Sequence, residues 1–242
     1  MSDWFGFPCE EFLFEGRKAF LVFPKEADAQ KNWTLKTEYR DAFPETELEL
    51  LHRGFHAAFL TNHTRFGTTE DCDAKDRFAA YLHETYGLCE KCVPIGMSCG
   101  GAHAVQFAGY YPNRVKCMFI DAPVLNFLDF PARYGDPYCE SVWETEFTRA
   151  YPGISRAKLL SFTEHPLNRI DALKTAKIPI LLVYGTQDTT VFYAQNGKMM
   201  EEAYNDAPEL LTVMARDYQG HHPHGFPHHP EIIADYICLH SK

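Results

Sequence analysis

The sequence predicts an α/β protein in which helices cover both faces of a mostly parallel sheet. Short apolar runs alternate along the chain with longer segments of helical period, which is the order of elements in α/β folds. The run IPILLVY (Ile178 to Tyr184) is continuously apolar, as expected for a parallel strand that is buried on both faces.

Each predicted element depends on a local pattern. Strands are expected at the short apolar runs, at residues 17–24, 55–61, 92–95, 115–120, 178–184 and 210–215. Helices are expected where apolar residues recur at helical spacing, at residues 34–53, 74–86, 101–111 and 230–239. Gly54 and Gly87 follow two of these helices and suit the C-cap position, where glycine is common.

Residues 126–175 depart from this alternation because they are rich in aromatic residues and prolines, among them Phe130, Tyr134 and Tyr138. We expect a modest insertion of short helices near the carboxyl ends of the strands, within a single domain that spans residues 1–242. Such an insertion can form part of a substrate pocket or can simply pack against the core. The sequence pattern does not decide between the two.

Composition and charge limit the classes of partner. The formal charge of −10 argues against nucleic acid, because affinity for phosphates comes from clustered Lys and Arg. No run approaches the roughly 18 apolar residues of a membrane span. The N-terminus lacks the basic start and apolar run of a secretion signal, so we expect a cytoplasmic protein with reduced cysteines.

Cys89 and Cys92 form a lone CxxC without a second ligand pair, which favours packing over zinc binding. The oligomeric state is left open.

The most informative motif is GMSCGG (Gly96 to Gly101), a G-x-S-x-G between a predicted strand and a predicted helix. Glycines allow the strand and the helix to approach each other closely around a serine on a sharp turn. The helix N-terminus beside the serine supplies N–H groups for a developing oxyanion. Ser98 is therefore the predicted nucleophile, and no cofactor is required.

A serine hydroxyl needs a base and an acid that orients the base, and both candidates follow in the chain. Asp188 lies on a loop directly after the strand that ends at Tyr184, and it is the preferred acid. Asp121 also follows a strand and is the rival acid.

The base is one of several histidines in the stretch GHHPHGF, residues 220–226. His221 is preferred because it follows Gly220 directly after the last strand, while His224 and His222 remain alternatives. A histidine cluster can also bind metal, but a serine turn and an acid loop already account for one histidine. We therefore expect no metal site.

Together, GMSCGG, GTQDTTV and GHHPHGF resemble the α/β-hydrolase superfamily. More narrowly, these motifs and the opening residues 5–25 are similar to bacterial prolyl-oligopeptidase-like or carbohydrate-esterase-like hydrolases with an HHPH signature. The resemblance implies a serine hydrolase that cleaves a short-acyl ester, such as an acetylated carbohydrate. A small peptidase, a thioesterase or a non-catalytic binding protein of the same fold remain the alternatives.

One feature of the superfamily is missing from the sequence. No His-Gly-Gly-Gly follows the early strand, so the resemblance does not identify both donors of the oxyanion hole. The backbone N–H of Cys99 is the first predicted donor. The second is expected near residues 32–34 and is assigned to Trp33.

Overall fold

The computed structural model describes residues 2–242, which contain nine strands in one sheet. In chain order they are β1 (Ser2–Trp4), β2 (Phe7–Phe14), β3 (Arg17–Val22), β4 (Trp33–Lys36), β5 (His56–Leu60), β6 (Val93–Met97), β7 (Met118–Asp121), β8 (Ile180–Gly185) and β9 (Leu211–Arg216). Their order across the sheet is β1-β2-β3-β5-β4-β6-β7-β8-β9. The mostly parallel sheet of the predicted fold class is thus confirmed.

Strand direction determines where a site can form. β1, β2 and β3 run antiparallel to their neighbours, and β3 is also antiparallel to β5. From β5 through β4 and β6 to β9, all neighbouring strands are parallel. The carboxyl ends of these six strands therefore meet at one edge of the sheet, where open α/β folds place their sites.

Helices cover both faces of this sheet. They are α1 (Glu45–His52), α2 (Thr69–Tyr86), α3 (Cys99–Tyr110), α4 (Pro137–Val142), α5 (Thr148–Ala150), α6 (Arg156–Leu159), α7 (Ile170–Thr175), α8 (Gly197–Ala203) and α9 (Glu231–His240). Strand residues alternate between two apolar clusters, one shared with α1 and α9 and the other with α2, α3, α7 and α8. Within residues 2–242, no helix is long and apolar enough to cross a membrane.

The predicted helix at residues 34–53 is wrong over its first part. Residues Trp33–Lys36 form β4, which lies between β5 and β6 at the centre of the nine-stranded sheet, and only Glu45–His52 are helical. All four residues of β4 are buried, so pairing on both sides overrides the helical spacing of the sequence. The antiparallel strands β1 and β2 were not among the predicted strands.

Residues 126–175 hold the short helices α4 to α7 and a π-helical turn at Trp143–Phe147. Their aromatic side chains form a separate apolar cluster that also includes Cys99 and Val124. This segment thus packs against the residue that follows Ser98.

The position of β4 predicts that two leucines contribute differently to the free energy of unfolding. Leu35 in β4 is fully buried, whereas Leu13 in β2 is 72 % exposed. Leu35→Ala should lower the free energy of unfolding by about 2–5 kcal/mol, because it leaves a cavity in the core. Leu13→Ala, the matched control, should change it by less than about 0.5 kcal/mol. Urea unfolding of both variants measures the difference, and equal effects would contradict the central position of β4.

Candidate active site

Ser98 lies at the carboxyl end of β6, on a tight turn into α3. Its backbone has φ 54° and ψ −121°, in the left-handed half of φ that side chains other than glycine rarely adopt. A Cβ at Gly96 would lie 2.3 Å from the carbonyl oxygen of Gly100, and one at Gly101 would lie 2.3 Å from the Cβ of Pro123. The motif glycines are therefore required by the close approach of strand, helix and the loop after β7.

His221 lies between Ser98 and Asp188. Its Nδ1 is 2.7 Å from Asp188 Oδ2 and its Nε2 is 3.0 Å from Ser98 Oγ. Because an ionised carboxylate only accepts hydrogen bonds, Nδ1 carries the proton and Nε2 is free to accept from the serine hydroxyl. The structure thus brings together the three residues preferred from the sequence, in an arrangement that can activate a serine.

The carboxylate of Asp188 is held in its charged form. Burial alone would raise its pKa, but the hydrogen bond and electrostatic attraction of His221, together with the backbone N–H groups of Val191 and Thr190, outweigh this effect and hold the pKa below its usual value. Asp188 Oδ1 also accepts from the backbone N–H groups of Thr190 and Val191, at 2.8 and 3.0 Å. These bonds fix the carboxylate in place so that it can orient the imidazole.

The rival acid Asp121 has other partners. Its buried carboxylate accepts from Arg216 at 3.0 Å and from the N–H of Gly225 at 2.5 Å. The Nδ1 of His224 lies 3.4 Å from the same carboxylate. Asp121 therefore anchors the histidine loop, and His224, the alternative base, faces Asp121 instead of Asp188.

The other two histidines differ from each other in environment. His224 is buried, which lowers its pKa, whereas the exposed His222 stacks on Phe43 with ring centroids 5.5 Å apart. The pKa of His222 is also lowered, first by partial burial and then by the neighbouring His221 and His224. Both rings line the same pocket as Ser98.

The first predicted oxyanion donor lies in a suitable position. Cys99 is the first residue of α3, and the first N–H groups of a helix have no acceptor within it. Its thiol is buried, which raises its pKa to about 11, so the sulfur stays protonated at neutral pH. Cys99 can therefore contribute its backbone N–H but not a thiolate nucleophile.

The second predicted donor, Trp33, is wrong. Thr34 pairs with Val93, and the stretch from Val93 to Ser98 spans roughly 16 Å at about 3.3 Å per residue, so Trp33 lies at the opposite end of β4. Its indole N–H donates to the carbonyl of Cys89 at 2.8 Å in the core. The prediction failed because residues 34–53 were expected to form one helix, so β4 and its carboxyl end were not recognised.

The loop after β4 supplies residues that the sequence did not single out. Tyr39 and Phe43, both with left-handed φ, line a pocket of about 380 Å³ in front of Ser98. A left-handed φ is not visible in a sequence without glycine or asparagine at the position. Arg40, on the same loop, pairs with Asp41 at 2.8 Å.

Two other segments complete the pocket wall. Phe130 and Tyr138 from the insertion line it, as one of the two interpretations of that segment allows. Arg65, from the loop after β5, also lines it and forms a bidentate ion pair with Glu146 at 2.6 and 2.7 Å. Burial disfavours the charge of Arg65, but Glu146 outweighs this and raises its pKa. No local motif distinguishes these residues in the sequence.

A mostly parallel α/β sheet with a serine on a glycine-flanked strand-to-helix turn and an imidazole beside it defines a serine hydrolase of the α/β-hydrolase class. The sequence model of the prolyl oligopeptidase family matches residues 60–233, and the chain belongs to this family. The matched range includes Ser98, Asp188 and His221. A search of the curated proteins found no match.

Solved structures show the same fold at low sequence identity. The acylaminoacyl peptidase of Pyrococcus horikoshii is 13 % identical, with a TM-score of 0.72 over 99 % of this chain and 44 % of its own. Dipeptidyl peptidase 4 of Porphyromonas gingivalis is 15 % identical, with a TM-score of 0.69 over 97 % and 35 %. An S-formylglutathione hydrolase of Agrobacterium tumefaciens is 16 % identical, with a TM-score of 0.67 over 99 % and 96 %. The chain spans less than half the length of the two peptidases.

Substitutions of Asp188 and of Asp121 should have different effects on catalysis and on stability. Asp188→Asn should reduce kcat/KM for p-nitrophenyl acetate by roughly three to four orders of magnitude, because the amide favours the wrong imidazole tautomer. Asp121→Asn should mainly lower stability, by about 3–5 kcal/mol, because it leaves Arg216 without its buried partner. Steady-state kinetics and urea unfolding of both variants test this. A crippled Asp121→Asn beside a mildly affected Asp188→Asn would contradict the assignment.

Proposed function

We propose that the protein is a carboxylic ester hydrolase that uses Ser98 as nucleophile, His221 as base and Asp188 as the orienting acid. The observation that carries this proposal is the position of His221, whose two nitrogens contact Asp188 and Ser98 at 2.7 and 3.0 Å. Removing either contact would leave the hydroxyl without a base or the base without its orientation.

The reaction proceeds in two acyl transfers. Ser98 Oγ bonds to the ester carbonyl carbon while its proton moves to His221 Nε2, and the carbonyl oxygen becomes an oxyanion near the N–H of Cys99. The tetrahedral intermediate then expels the alcohol, which takes the proton from His221. Water next attacks the acyl-enzyme and gives its proton to His221, and Ser98 recovers that proton as the acid leaves.

The second oxyanion donor is assigned to the loop after β4, residues 37–43. This loop follows the carboxyl end of β4, the strand that pairs with β6, and it lines the pocket of Ser98. The assignment replaces Trp33 and keeps the predicted role of the segment after an early strand.

The pocket wall supports a small neutral substrate. Of the described residues that line it, none is a carboxylate, and the charge of Arg65 is paired with Glu146. A substrate with a free amine would therefore meet no opposite charge beside Ser98. The rings of Tyr39 and Tyr138 are partly exposed in this pocket and offer aromatic faces for stacking, which suits a carbohydrate. We infer that a short-acyl ester, acetyl above all, of a sugar or similar small alcohol is the substrate.

A peptidase is the second candidate. It is favoured by the family of the chain and by the fold shared with the acylaminoacyl peptidase and dipeptidyl peptidase 4. The same triad chemistry would cleave an amide, with His221 protonating the leaving amine. The S-formylglutathione hydrolase, which shares the fold over 96 % of its length, shows that the fold also serves a different hydrolysis.

The nucleophile is tested by covalent labelling. A fluorophosphonate probe should label the wild-type protein, and Ser98→Ala should abolish labelling and lower turnover by roughly 10⁴-fold or more. Cys99→Ala is the matched control, because it keeps the backbone donor and removes only the thiol. It should keep labelling and at least a tenth of the turnover. Labelling that persists in Ser98→Ala would contradict the assignment.

Substrate class is tested with a graded panel. Acetylated sugars and p-nitrophenyl acetate should be cleaved with higher kcat/KM than p-nitrophenyl esters of long acyl chains, because the pocket holds only about 380 Å³. Aminoacyl p-nitroanilides should be poor substrates, since no carboxylate faces the pocket. A preference for long chains or for peptide amides would reject the short-acyl esterase and leave the triad in place.

A further inference from the structure

Three histidine rings converge in front of Ser98 in a way that the ester hydrolysis does not require. The ring centroids of His221, His222 and His224 are 4.8 to 4.9 Å apart, and each pair of rings is inclined by 70° to 85°. One ligand nitrogen from each ring lies within 4.8 Å of the other two. Within residues 2–242, this is the one group of three or more potential ligands with such spacing.

Each ring has a nitrogen to offer. Asp188 occupies the Nδ1 of His221, and Asp121 faces the Nδ1 of His224 at 3.4 Å, so Nε2 is the remaining nitrogen of both rings. His222 is exposed, and neither of its nitrogens has a hydrogen-bond partner among the described residues. A metal ion binds to the lone pair of an imidazole nitrogen. Of the three histidines, the triad uses the lone pair of His221 alone.

The surroundings of the rings are also those of a metal site. Histidine ligands in proteins usually donate their second nitrogen to a carboxylate, which fixes the ring and raises its basicity. Asp188 stands in this position behind His221. Asp121 lies behind His224 at 3.4 Å, an electrostatic contact without a hydrogen bond. Arg65 is neutralised by Glu146, and Arg216 offsets the charge of Asp121, so Asp188 supplies the net attraction for a cation.

In contrast to the sequence analysis, which predicted no metal site, we propose that His221, His222 and His224 bind a divalent transition metal ion such as Zn²⁺, and that the bound ion inhibits the hydrolase. Three imidazoles suit zinc, which binds histidine nitrogen at about 2.0–2.1 Å and therefore needs the nitrogens roughly 3.3 Å apart. Rotation of the exposed His222 side chain can contribute to this contraction. Inhibition rests on the proposed function: the ion takes the Nε2 lone pair that receives the Ser98 proton.

The inhibition is tested on full-length protein stripped with EDTA and desalted. ZnCl₂ in a metal-buffered titration should suppress hydrolysis of p-nitrophenyl acetate by more than tenfold, and EDTA should restore it. His222→Gln should retain measurable hydrolysis but need at least tenfold more free Zn²⁺ for half inhibition. His228→Gln, an exposed histidine outside the cluster, is the matched control and should keep both the rate and the zinc sensitivity. Equal zinc sensitivity of His222→Gln and the wild type would overturn the proposal.

Binding is measured separately from turnover. Ser98→Ala, which should not hydrolyse esters, should still bind one equivalent of Co²⁺ with the visible absorption of a low-symmetry site, and Zn²⁺ should displace it. Failure of both Ser98→Ala and the wild type to bind would overturn the site. Stoichiometric binding without inhibition would overturn the competition for Nε2. Binding by a wild-type protein that cleaves no ester would support the site and reject the proposed function.

Discussion

Asp121 joins the two loops that meet at the nucleophile. Its backbone carbonyl accepts the N–H of Ser98 at 2.9 Å, which fixes the strained turn. Its buried carboxylate holds Arg216 and the N–H of Gly225, on either side of the histidine loop. A buried carboxylate is stable only when such partners replace water. The position of His221 relative to Ser98 therefore depends on a residue that takes no part in the proposed reaction.

The loop after β8, which carries Asp188, is held in place by the insertion at residues 126–175. Arg133 donates to the carbonyl of Thr190 at 3.1 Å and pairs with Asp129 at 2.8 Å. Its guanidinium also lies 3.8 Å from the centroid of the Phe192 ring. The insertion thus holds the loop that carries Asp188 and, through Phe130 and Tyr138, forms part of the pocket wall. Changes in this segment can alter both substrate fit and the orientation of His221.

Most of the fold could be predicted because its central strands are continuous apolar runs. Strands that are buried on both faces, such as β6, β7 and β8, require continuous apolar runs. Such runs can be recognised from a short stretch of sequence without knowledge of the fold. β4 is the exception, since Trp33–Lys36 is short and contains Thr34 and Lys36, and the spacing of its surroundings mimics a helix. Lys36 is accommodated in the interior because it pairs with Glu47 of α1 at 2.7 Å. Because β4 was predicted as part of a helix, the second oxyanion donor was assigned to the wrong end of this strand.

The sequence by itself determined the chemistry that is encoded locally: a serine between glycines at a strand end, then an aspartate and histidines after later strands, in the order that this class of hydrolase requires. Only the tertiary structure decided which histidine contacts which carboxylate. His221, His222 and His224 have the same side chain and lie within four positions, so the local pattern favoured His221 only by its place after Gly220 and left the other two open. The three-dimensional path of the chain around Asp121 and Asp188 separates them, since a hydrogen bond depends on distance and direction in space rather than on separation along the chain.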